Sequence, residues 1–79
     1  MSLADMRPGQ CAVVTAILNE VQMRRRLQDL GLIHGTVVEC IGKSPMGDPS
    51  AYLIRKAVIA LRKEDAGQIV VREVKRWGR

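Results

Sequence analysis

NEVQMRRRLQDLGLIHGT, Asn19 to Thr36, is the one stretch of this chain with the spacing of a helix. Met23, Leu27 and Leu30 stand at i, i+4 and i+7, which lines them up as one narrow apolar stripe. Asn19 followed by Gln22 resembles a capping box, with Leu18 placed to staple onto Met23. Gly31 supplies the left-handed conformation that ends a helix. Glu20 to Leu30 is therefore expected as about three turns, enough to cover one side or one open end of a small sheet. Arg25 and Asp29 form an i,i+4 pair on the far side.

Outward from that helix, the patterning is that of strands. Cys11 to Leu18 (CAVVTAIL) is rich in β-branched residues, and both its faces are largely apolar. Thr36 to Ile41 is the second strand, with Thr36, Val38 and Cys40 on one face and Val37, Glu39 and Ile41 on the more exposed one. Gly42 to Ser50 (GKSPMGDPS) reads as a loop, since two prolines and two glycines interrupt any ladder. Ala51 to Arg55 and Ala57 to Arg62 read as a hairpin reversing near Lys56. Lys63 to Ala66 is one helical turn closed by Gly67, Gln68 to Val74 is the last strand, and Lys75 to Arg79 is a basic tail. Five short strands with one covering helix predict a mainly β chain forming a small, partly closed antiparallel barrel, a single domain over residues 1–79.

Composition narrows the function classes. Seventy-nine residues allow one small core and no second lobe for an enclosed nucleotide site. The core must be aliphatic, because the chain has no Phe, one Tyr and one Trp, and this also leaves few platforms for stacking bases. The longest unbroken apolar run is Ala57 to Leu61, too short to cross a bilayer, and the start Met-Ser-Leu-Ala-Asp lacks a secretory pattern. A cytoplasmic protein is expected, with Cys11 and Cys40 as small hydrophobes rather than a disulfide or metal pair. No P-loop, nucleophile elbow or apolar-flanked carboxylate pair is present, and Glu64 and Asp65 fit the first turn of a helix. The chain is expected to be no enzyme and to carry no cofactor.

The order of these pieces resembles the ferrous iron transport protein A (FeoA) family, from about Met6 to Val74. The motifs are Met23-Arg-Arg-Arg-Leu27-Gln-Asp-Leu-Gly-Leu32 with Gly35-Thr36, Arg7-Pro-Gly-Gln10, Gly47-Asp48-Pro49, and Ile59-Ala-Leu-Arg62 leading to Ala66 and Ile69-Val-Val71. His34 stands where the family often has proline, and Lys56 where its hairpin often has glycine. The resemblance implies an SH3-like β-barrel and a non-catalytic accessory or regulatory role in ferrous iron uptake, bound to the cytosolic part of the ferrous iron permease FeoB. The alternatives are the SH3-like module of a metal-dependent transcription regulator, or a small barrel associated with RNA or the ribosome. The regulator would need a helix-turn-helix region upstream, where only five residues precede Met6.

Candidate residues follow from charge and exposure. Thirteen Lys plus Arg against eight Asp plus Glu leave a net charge of +5. Arg24, Arg25 and Arg26 are the densest basic patch. Arg24 and Arg26 are expected to flank the apolar stripe while Arg25 faces away, and Glu20 and Asp29 can neutralise part of the charge. The patch suits an acidic protein surface, with peripheral contact to acidic lipid at most and no nucleic acid. Met46, between proline and glycine, is a candidate apolar anchor, and Asp48 belongs to the same loop and the same partner-binding set. His34 is the chain's one histidine, so no metal site is expected within a monomer. A ligand set between subunits of a homo-oligomer would need His34 together with Glu39, Asp48 or a cysteine of a second copy.

Overall fold

The computed structural model describes residues 1–74, so the basic tail expected at 75–79 lies outside the described residues. A 3-10 turn at Leu3–Asp5 precedes β1 (Cys11–Ile17), α1 (Val21–Asp29), β2 (Val37–Lys43), β3 (Ser50–Ile54), β4 (Ala57–Leu61), the short α2 (Lys63–Ala66) and β5 (Ile69–Val74). All pairings are antiparallel, in the order β4-β3-β2-β1-β5. Ala12 and Val14, Val38 and Cys40, Tyr52 and Ile54, Leu61, and Ile69 and Val71 nevertheless belong to one core cluster. A flat sheet would hold its outer strands about 19 Å apart, so a shared core requires the sheet to wrap. Register shifts between Val14 and Ala16 and between Cys40 and Gly42 mark bulges, the devices that bend strands this way.

The sequence patterns survive with local corrections. Thr36, Val38 and Cys40 are buried, and Val37 and Ile41 are exposed, as alternation predicts. The second strand runs to Lys43 and the third starts at Ser50, so the loop is shorter than the 42–50 expected. The helix cap is Glu20 and not Asn19, because the Glu20 carboxylate accepts from the Met23 N–H at 2.7 Å. Asn19 is instead buried and donates from Nδ2 to the Asp65 carbonyl at 3.0 Å, tying the helix entry to α2. The apolar stripe is also narrower than predicted. Leu27 is 1% exposed, Met23 is half-buried, and Leu30 stays 47% exposed while Leu32, beyond the helix, fills the core. Leu18 is exposed and not the expected staple.

Two turns carry the geometry. Gly31 sits at φ +96°, and a Cβ there would lie 2.8 Å from Cδ of Arg55. Glycine therefore suits the positive φ of the helix exit, and any side chain there would also have to displace the Arg55 side chain. Thr36 Oγ1 locks the connector by accepting from the Ile33 N–H and donating to the Gly31 carbonyl. The β3–β4 hairpin turns on Arg55 and Lys56, both left-handed at φ 49° and 71°. That is the primed turn that matches strand twist, made here without glycine at a cost of roughly 1 kcal/mol per residue.

The chain's start is part of the core, a feature not anticipated from the sequence. Leu3 and Met6 are fully buried. The Ser2 N–H donates to Asp5 Oδ2 at 2.9 Å, a bond that holds the Asp5 carboxyl below its ordinary value. Tyr52, the largest core side chain, donates its hydroxyl to the Leu3 carbonyl at 3.0 Å, and burial pushes the phenol pKa up.

Candidate functional site

α1 presents its basic residues outward because only Leu27 is held fully inside. Arg24, Arg25 and Arg26 are all exposed. Arg25 and Arg26 share a shallow recess of about 420 Å³ with Glu20, Gln22 and Met23. Arg25 and Met23, two residues apart, stand on opposite sides of that recess, since side chains at i and i+2 of a helix do not face each other. A helix with one buried residue in its nine leaves most of its circumference to solvent.

A second recess, of about 290 Å³, runs between α1 and β4. Met23, Leu27 and Leu30 form one wall, Ile59 to Leu61 the other, with Arg26, Arg62 and Asp65 at the rim. Sequence reasoning missed this groove, because it placed Leu30 in the core and treated Arg62 only as the end of a strand. The signal available was the width of the helical stripe, which leaves its outermost member uncovered.

The β2–β3 loop approaches the same region. Met46 is 90% exposed at its tip. Asp48 has a structural task beside any binding role, since its Oδ1 accepts from the Lys63 N–H at 2.8 Å and caps α2. Asp48 is thereby joined to the residue following Arg62, which connects the loop to the rim of the groove. Gly47 and Lys63 line a separate recess with Asp5 and Lys43, so the loop and the groove meet only at the Arg62–Lys63 junction.

His34 lies elsewhere. It is exposed in the connector ahead of β2, whereas the loop with Asp48 follows the end of that seven-residue strand, on the order of 20 Å away. Glu39 sits midway along β2 and Cys40 is buried in the core, where burial raises its thiol pKa. Among the described residues no group of three or more His, Cys, Asp or Glu side chains could hold a metal ion. No helix among them is long and apolar enough to cross a membrane.

Comparison with known proteins gives these features a setting. Residues 1–73 match the model of the FeoA domain. The chain is 31% identical over 71 residues to an Fe(2+) transport protein A/Fe(2+) transporter FeoB fusion protein of Porphyromonas gingivalis, covering 90% of this chain and 8% of that protein's length. The FeoA protein of Chlorobium tepidum superposes with a TM-score of 0.91 at 32% identity, covering 95% of this chain and 71% of the other. A zinc complex of FeoA from Stenotrophomonas maltophilia, a prokaryotic SH3 domain protein, gives 0.80 at 29% identity, covering 90% and 88%. The expected SH3-like β fold is borne out.

Proposed function

The chain belongs to the FeoA domain family, and on that premise we propose that it is a non-catalytic accessory or regulator of ferrous iron uptake that docks on the cytosolic part of the ferrous iron permease. The observation that carries this reading is the Porphyromonas gingivalis fusion, in which a related module is joined to the transporter in one chain. Covalent linkage raises the effective concentration of two modules that work together, and separate chains must replace it with an interface.

The surface described above supports such an interface. Arg24, Arg25 and Arg26 supply long-range attraction to an acidic surface, and Met46 supplies an apolar group that a partner can bury. Asp48 holds the loop against α2, so that Met46 is presented from a fixed base. This role places the chain in the cytoplasm beside the membrane. Iron is the cargo of the system and not a resident cofactor of this chain.

The test is ferrous iron uptake by cells in which this chain is deleted and then restored as wild type, Arg25→Glu or Met46→Ala. Uptake should fall on deletion, return with the wild type, and return incompletely with either variant at equal protein level. Uptake unchanged by deletion would refute the proposal.

A further inference from the structure

The two edges of the sheet are treated differently. On β5, Ser2 bridges to Val70 and the Val71 N–H donates to the Met1 carbonyl at 2.8 Å, so the chain's own start covers that edge. Among the described residues, no strand takes the outer side of β4. The two-residue turn determines which groups this leaves. Ile54 and Ala57 close the hairpin as a hydrogen-bonded pair, and alternation gives Tyr52 with Ile59 and Ser50 with Leu61 the same character. The main-chain N–H and C=O of Val58 and Ala60 therefore point away from β3. β4 reads AVIAL, with Val58 64% exposed and neither the charge nor the proline that commonly protects an edge.

Beside this edge lies the groove between α1 and β4, floored by aliphatic side chains and rimmed by Arg26 and Arg62 against the single acid Asp65. We propose that the β4 edge and this groove together dock an extended segment of a protein partner, aliphatic at its centre and acidic at its flanks, which adds to the sheet as a sixth strand. Main-chain bonds to Val58 and Ala60 hold the segment, and its inward side chains lie in the groove against Leu30 and Ile59. The charge decides the occupant. A second copy paired antiparallel through Val58 to Ala60 would set Arg62 of one chain opposite Lys56 of the other, cation against cation, whereas acidic flanks would neutralise Arg26 and Arg62. The inference rests on the reading of the chain as a protein-binding accessory, and it names the chemistry of the segment bound.

The experiment titrates the ¹⁵N-labelled full chain with the blocked peptide EELVLEE, with the same peptide N-methylated at its central amides, and with KKLVLKK. The first should shift the Val58 and Ala60 amides and slow their exchange with solvent. N-methylation and charge reversal should each weaken binding by about tenfold or more, because one removes main-chain bonds and the other the charge match. Ala60→Pro deletes an outward N–H without touching the β3 ladder, and it should weaken EELVLEE to a similar extent. If that variant does not fold, the peptide arms still decide. Absence of shifts at Val58 and Ala60 at millimolar peptide, or equal binding of the methylated peptide, overturns the proposal. So does protection of those amides in a concentration-dependent dimer without peptide. Wild-type binding to the permease's cytosolic region that Ala60→Pro leaves unchanged refutes this site alone, whereas absence of wild-type binding refutes the parent reading.

Discussion

Replacing Leu27 with alanine tests whether α1 is a docked element or a surface ornament. The side chain is 1% exposed and belongs to the same cluster as the strands. Truncation removes three carbons, a transfer loss of roughly 2.4 kcal/mol, to which an unfilled cavity adds. The groove beside Leu27 lets half-buried Met23 move in, so the total should be about 3 kcal/mol, in the lower half of the range for such changes. A domain of this size has roughly 4 to 12 kcal/mol in all, so the loss is large. Leu30→Ala is the matched control, because Leu30 is 47% exposed and its loss should cost about 1 kcal/mol or less. Urea denaturation of both variants, with unchanged m-values, measures the difference. If Leu27→Ala stays within about 0.5 kcal/mol of wild type, or Leu30→Ala costs as much as Leu27→Ala, the docking of α1 is wrongly described.

Three further outcomes follow from particular contacts. Gly31→Ala should cost about 1 to 2 kcal/mol, and less in an Arg55→Ala background, because part of the penalty is the 2.8 Å approach to Cδ of Arg55; equal costs in the two backgrounds would leave only the positive φ. The Asp5 carboxyl, lowered below 3.8 by the Ser2 N–H, should contribute stability that is complete above that value and lost as pH falls through the folded-state pKa. Asp5→Asn should flatten that acid limb in urea midpoints followed downward from about pH 5, and an unchanged limb would contradict the assignment. Cys11 is half-buried and Cys40 fully buried with a raised thiol pKa, so a thiol reagent should modify Cys11 first and Cys40 only on unfolding; equal rates would refute the burial described.

Most strands were legible because β-branched runs alternate between glycine and proline punctuation, and each core position on β2 follows directly from the alternation. The helix was legible from Met23 and Leu27, but its ends were not. Both Asn19 and Glu20 can cap, and a tertiary bond to the Asp65 carbonyl draws Asn19 away. Leu30 reads as part of the buried stripe and Leu32 only as part of the connector, and the path of the chain after Gly31 reverses the two. The burial of Leu3 and Met6 escaped periodicity because the segment is too short to show any. Its clue was the Ser2-x-x-Asp5 spacing of a capping box. For the candidate site, the exposure of the arginines and of Met46 could be read from the sequence. Arg62 and the groove could not, since they depend on which sheet edge the helix lies beside.

The central claim, that this chain acts through contact with the iron permease, is tested most directly by the binding kinetics of the wild-type chain on the purified cytosolic region of that permease at low and high salt. Saturable binding is predicted, with association slowing as salt rises. Arg25→Glu should mainly slow association and flatten the salt dependence, and Met46→Ala should mainly speed dissociation. No measurable binding of the folded wild-type chain at either salt concentration would contradict the account.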